Sequence, residues 1–202
     1  EPADVLAALD ELQQRGLLAE DRAAMPRAER AWWEHCGVPP ALAHQRVQQA
    51  RLGLQVLGDV DVSALRQALQ RAGLAVQAGA EAASLVVVVT PDALHPGLEE
   101  INARTLARQQ PWLLLQPQGL QTWLGPAFVP GQTGCWACLA QRLRWHRRLE
   151  AYLDGQNPAR PSSAPYRAHC ESGMRSLFEE ATTALLRWVG TGGAGPLAGR
   201  FS

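Results

Sequence analysis

Lysine is absent from this 202-residue sequence: all nineteen basic side chains are arginine, set against nineteen carboxylates. Without lysine, no phosphate-binding loop of the G-x-x-x-x-G-K-[ST] kind exists anywhere in the chain. Guanidinium suits bidentate pairing with carboxylates, but a GC-rich gene produces the same bias and is the simpler explanation. A formal net charge of zero gives no ground for nonspecific attraction to nucleic acid or an anionic membrane. Long hydrophobic runs are also missing. The run Leu85 to Val89 has the length of a strand, and nothing approaches the roughly 18 residues of a membrane-crossing helix. The opening EPADVLAALDELQQ carries acids and no basic segment, so it does not read as a secretory signal. Four cysteines, Cys36, Cys135, Cys138 and Cys170, are too few for the framework of a disulfide-built secreted chain of this length. The expectation is a cytoplasmic protein with reduced thiols, with neither nucleic acid nor membrane as partner.

Signatures of catalysis are scarce. No serine sits in G-x-S-x-G. His35 beside Cys36, and His169 beside Cys170, do not form nucleophile–base pairs, because neighbours on a helix do not face each other. The first strand-to-helix turn reads Leu57-Gly58-Asp59-Val60-Asp61-Val62. A dinucleotide or ATP fold places a glycine-rich loop at this point, so that backbone N–H groups approach phosphate. One glycine, two carboxylates and two β-branched valines predict no phosphate cradle, and no ATP is expected to bind.

What is present is an ordinary globular composition, 47% apolar and 19% charged, enough for one α/β domain and a small appendage. Residues 2 to 18 read as an amphipathic helix through Val5, Leu6, Leu9, Leu12 and Leu17, with Gly16 near its end. Residues 28 to 47 read as helical, interrupted at Pro39-Pro40. A strand then runs to Gly58, a helix covers 62 to 72, and Gly73 ends it before the strand Leu74-Ala75-Val76. Strand Leu85 to Val89, a helix over 96 to 109 and strand Trp112 to Gln116 complete an alternation that predicts an open, largely parallel sheet flanked by helices. Two short strands, Leu120 to Leu124 and Ala127 to Val129, are expected to flank a Gly125-Pro126 turn. Helices are expected over 135 to 153 and 166 to 189, with a loop at 156 to 165 and a closing turn after them.

The sharpest local signal is PGQTGCWACLAQR, residues 130 to 142. Cys135 and Cys138 form a C-x2-C pair at a helix start, half of a tetrahedral zinc site. Cys36, His146, His169 and Cys170 are the nominees for the other half. A metal-free pair of small, semi-buried residues and a redox pair are the alternatives, the redox reading lacking a βαβ unit at this position. RLRWHRRLE, residues 142 to 150, is locally basic; a solvated helix face is the default, a contact for an acidic peptide or partner the alternative. The seven tryptophans are core residues by default, with interface anchors among them as the alternative.

Residues 84 to 142 resemble a known family: the strand before Thr90-Pro91-Asp92, the helix with Ile101-Asn102, the Pro111-Trp112 strand, Gly125-Pro126, and Pro130-Gly131 leading into Gly134-Cys135 and Cys138-Leu139. This order is similar to the E1-like, ThiF-related domain of azoline-forming cyclodehydratases, and the likeness extends over roughly residues 2 to 200. The resemblance implies an α/β, Rossmann-like E1/ThiF-type open sheet over 47–202. Residues 1–46 would be the end of an N-terminal winged-helix peptide-recognition unit and a helical linker. It also implies a division of labour. A non-catalytic scaffold binds the leader of a ribosomal precursor peptide, and a YcaO-type partner, separate or fused, uses ATP to convert Cys, Ser or Thr to azolines. The leader adds a strand to the winged-helix sheet beside its third helix, which makes Val5, Leu9 and Leu12 the peptide-binding nominees, with packing of the three on the domain as the alternative. E1-like folds often pair as homodimers. The family's second C-x2-C, which completes a four-cysteine zinc site, has no counterpart here, so the expectation is a chain cut back at both ends with a half-site at Cys135 and Cys138. The rival reading is an active E1-like enzyme that adenylates a peptide or carrier-protein carboxylate, with Arg104 and Arg108 as its cations. A DNA-binding winged helix ranks last, because residues 2 to 18 are too acidic for a recognition helix.

Overall fold

Strands buried on both faces carry continuous apolar side chains rather than an alternating pattern. That is the character of Leu85–Val89 and Trp112–Gln116, in which every residue is buried. A computed structural model describes residues 2–15, 25–78, 83–119, 121–148, 152, 156 and 168–193. The chain divides into two compact units, Glu1–Pro40 and Ala41–Ser202.

The first unit contains helices α1 (Pro2–Gln14) and α2 (Arg27–His35). On α2 the rings of Trp32 and Trp33 meet edge to face, with centroids 4.5 Å apart. Gly16 to Leu18, expected at the end of α1, lie outside the described residues.

The boundary falls at the start of α3 (Pro40–Gln49), whose Pro40 stands in the first turn, where a missing N–H costs nothing, and whose remainder opens the second unit. There follow β1 (Arg51–Val56), α4 (Ser63–Arg71), β2 (Ala75–Ala78), β3 (Leu85–Val89), α5 (Gly97–Ala107), β4 (Trp112–Gln116), β5 (Trp123–Phe128), α6 (Trp136–His146) and α7 (Glu171–Gly190). The sheet order is β2-β1-β3-β4-β5. The first three pairings are parallel and β4 with β5 is antiparallel. Val86, Val88, Trp112 and Leu114 look towards one face, where Leu98 and Ile101 of α5 and Trp136, Leu139 and Ala140 of α6 complete the core. Trp112 stacks at a tilt on Phe128, centroids 4.3 Å apart. Helix α4 packs against α7, which also reaches β5.

The sheet therefore bears out the expected E1/ThiF-like architecture, with two local corrections. Gly125-Pro126 is not a turn between two strands. It lies inside β5, where Leu113 pairs with Ala127 and Leu115 with Leu124, so two residues of β5 oppose one of β4. Glycine and proline mark a bulge on an edge strand as readily as a turn, and Gly125 has φ of +95°. Helix α7 starts at Glu171 rather than 166. The Gly119 N–H donates to the Ala168 carbonyl at 2.7 Å and Cys170 remains extended, so the chain is tied to the loop after β4 before it can coil. Leu120, the end of the expected helix near 153, most of the loop at 156–165 and the turn at 194–200 lie outside the described residues. No helix among the described residues is long and apolar enough to cross a membrane.

Candidate functional site

The turn from β1 into α4 decides what the end of the sheet can hold. Gly58 adopts φ of +70°, and a Cβ there would stand 3.0 Å from Cγ of Pro91. The glycine thus serves a tight turn under the Thr90–Asp92 loop. Beyond it, the Asp61 carboxylate accepts the Ser63 N–H at 2.8 Å and the Ser63 hydroxyl at 3.0 Å. An amide at the start of α4, the group that would otherwise meet an anion, already has an acidic side chain on it. The Ser63 backbone bond, followed by its hydroxyl bond, holds the Asp61 pKa below the usual carboxylate value. Gln118 donates from Nε2 to the Asp59 carbonyl at 3.3 Å, tying the turn to the exit of β4.

A cleft of about 690 Å³ opens beside this turn, between α4 and α7. Asp59, Asp61, Glu171 and Glu179 line it, and its arginines, Arg71 and Arg175, are bound to Glu179 and Glu171 respectively. These ion pairs are exposed and contribute little stability. Together the lining groups leave a negative excess that disfavours phosphate. Of the cations considered for adenylation, Arg104 donates from Nη2 to Gln55 Oε1 at 2.6 Å, and Arg108 has partners as well.

Cys135 is the N-cap of α6, and its sulfur lies 3.8 Å from that of Cys138. That is the edge of a tetrahedron with zinc–sulfur bonds of about 2.3 Å. The Cys138 N–H is the main group lowering the Cys135 thiol pKa, against a smaller opposing effect of burial. The geometry fits half of a structural zinc site, in which the metal would supply a cross-link at the start of α6. All cysteines and histidines of the sequence are among the described residues. Among those residues no group of three metal-binding side chains exists, so Cys36, His146, His169 and Cys170 do not complete the set.

Polar residues to which sequence reasoning gave no such role hold α6 in place. Buried Asn102 accepts the Trp136 N–H on Oδ1 at 3.1 Å, and the Trp136 indole donates to the Ala93 carbonyl at 2.8 Å. Gln116 Oε1 accepts the Ala93 N–H at 2.8 Å. At the other end, Arg147 donates to both Asp92 oxygens at 2.8 and 3.1 Å. The faint signal for these roles is a polar residue in an otherwise apolar run, as Gln116 is after Leu113-Leu114-Leu115.

The peptide-binding nominees lie in the other unit. Val5, Leu9 and Leu12 on α1 are 60%, 43% and 38% exposed, an apolar surface that no described contact covers. They and the cysteine pair thus belong to separate compact units.

No family model and no curated protein matches the chain. Solved structures do. A heterocyclase in complex with substrate and cofactor is 35% identical, with a TM-score of 0.80 over 96% of this chain and 26% of its own. The heterocyclase TruD is 35% identical, with a TM-score of 0.79 over 99% of this chain and 30% of its own. The chain belongs to the E1-like, ThiF-related domain family of these heterocyclases. MccB of E. coli, solved with succinimide, has a TM-score of 0.59 at 13% identity over 98% of this chain and 74% of its own. That likeness concerns the fold alone. This E1-like domain spans between a quarter and a third of the length of the heterocyclases it matches.

Proposed function

We propose that this E1-like domain is the non-catalytic, peptide-presenting part of a cyclodehydratase that forms azoline rings in a ribosomal precursor peptide. The leader binds along α1 through Val5, Leu9 and Leu12, and a YcaO-type partner, separate or fused, carries ATP and the ring-forming chemistry. The supporting observation is the Asp61 carboxylate on the Ser63 amide: at the helix start where a nucleotide phosphate would be received, one amide is already taken by a negative side chain of the same chain. The acidic cleft beside it reinforces the reading, since two of its four carboxylates, Asp59 and Asp61, are not matched by its arginines and would face a triphosphate. A structural zinc, when bound, is held by Cys135 and Cys138 with ligands from outside the described residues.

Titration calorimetry with magnesium ATP tests this. The domain alone should bind no nucleotide and catalyse no ATP–pyrophosphate exchange. Micromolar binding together with exchange would establish the rival, an adenylating enzyme acting on a peptide or carrier-protein carboxylate.

A further inference from the structure

Apart from Cys138, the outer side of α6 takes no part in the contacts described above. Burial follows the helical wheel: Trp136, Leu139, Ala140 and Leu143 turn inwards, while Cys138, Gln141, Arg142 and Trp145 line the opposite stripe, and Arg148, two residues past the helix end at His146, is exposed as well. Trp145 is 63% exposed on that stripe. The Arg148 guanidinium lies 3.5 Å from its ring centroid, and Arg144 lies 5.8 Å from that of Trp136. Residues 141 to 148 contain four arginines and no acid, in a chain whose formal net charge is zero. One of the four, Arg147, is matched by Asp92. Arg142, Arg144 and Arg148 have no carboxylate partner among the described residues.

Ordinary structural roles explain part of this. Cations in the last turn of a helix oppose the negative end of its dipole, which accounts for Arg144 and His146. An arginine stem covers apolar surface, which accounts for Arg148 on Trp145. Neither role explains Arg142, nor why Trp145 stands in water when Trp136 of the same helix is buried. Tryptophan and arginine are the side chains most enriched where protein contacts carry their energy.

We infer that the Arg142–Trp145–Arg148 stripe at the end of α6 is a docking surface for an acidic peptide segment that carries an apolar side chain. The inference rests on the peptide-presenting reading and names a second contact for the peptide, on a different unit from α1. Charge complementarity selects the occupant: each guanidinium fork takes a carboxylate through two hydrogen bonds, and the apolar side chain lies on the indole. A cation already seated on an aromatic face, as Arg148 is, loses little further freedom when it pairs.

The test uses the whole chain and a fluorescein-labelled short peptide of glutamate and leucine, beside its glutamine analogue, followed by fluorescence anisotropy. The glutamate peptide should bind saturably, and the glutamine analogue about tenfold more weakly. Arg142→Glu combined with Arg148→Glu should lower affinity about tenfold or more, and raising salt should weaken the unaltered chain in the same direction. Trp145→Ala should cost several-fold at low and high salt alike. The changed residues are exposed, and circular dichroism checks each variant; a glutamate pair that misfolds is replaced by Arg142→Gln with Arg148→Gln. Equal binding of the two peptides, or no effect of either set of variants, overturns the inference. So does a change in oligomeric state of the charge-reversed variant on sedimentation, which would assign the stripe to a second copy. Binding lost through Leu9→Asp but untouched by α6 variants also overturns it, while leaving the peptide-presenting reading intact. ATP–pyrophosphate exchange would sink that reading separately.

Discussion

Gly58 and Asp61 show how single residues set the character of the β1–α4 turn. Alanine at 58 would be forced into the left-handed region, a cost of about 1–2 kcal/mol, with its Cβ 3.0 Å from the Pro91 ring. Gly58→Ala should therefore lower unfolding free energy by at least about that amount, read from urea midpoints. Asp61 has a folded pKa depressed below its ordinary 3.8, first by the Ser63 amide. Such a group adds stability above its unfolded pKa, and that stability is lost as pH falls through the folded value. The melting temperature of the native chain should exceed that of Asp61→Ala at neutral pH, and the difference should shrink below about pH 4. A thermal melt series across that range checks the sign. The carboxylates of this turn were legible in the sequence; the hydrogen bonds that Asp61 accepts from Ser63 were not. Nor were the roles of Asn102, Gln116 and Asp92, because each acts on a partner that the sequence does not bring near: Asn102 caps a helix thirty-four positions away.

At the scale of elements, α6 is held by its two ends. Replacing Asn102 with alanine leaves the Trp136 N–H without its acceptor in a buried place, and should cost about 1–2 kcal/mol in chemical denaturation. The parallel strands were readable because burial on both faces leaves an uninterrupted apolar run, as in Leu85–Val89. β5 was misread because glycine followed by proline marks a turn and a bulge with the same letters; the pairing partner decides, and Leu113 and Leu115 of β4 are that partner. The start of α7 was placed too early for a similar reason. A hydrogen bond from Gly119 to Ala168 spans residues far apart in the chain and leaves no local mark. The C-x2-C pair was legible as two neighbouring thiols at a helix start, and the sulfurs stand 3.8 Å apart.

For the molecule as a whole, the proposed function gives the leader to the first unit, with α1, and gives the supporting role to the sheet unit. Val5→Asp and Leu9→Asp change exposed positions, so stability should move by no more than about 0.5 kcal/mol. Affinity for the cognate leader should nonetheless fall about tenfold or more, measured by calorimetry. A large loss of stability would mean that these side chains serve packing instead. The proposed division of labour enters from the sequence only through resemblance, because the properties of a peptide-binding surface depend on side chains that no local spacing encodes. The bulge at Gly125-Pro126 has a consequence for how the domain behaves in a crowded solution. An outermost strand ordinarily invites another chain to zip alongside it. Pro126 contributes no N–H, and the bulge breaks the even spacing of its neighbours' donors. This rim of the sheet is thereby made a poor template, which discourages both edge-to-edge self-association and the stray capture of an extended peptide.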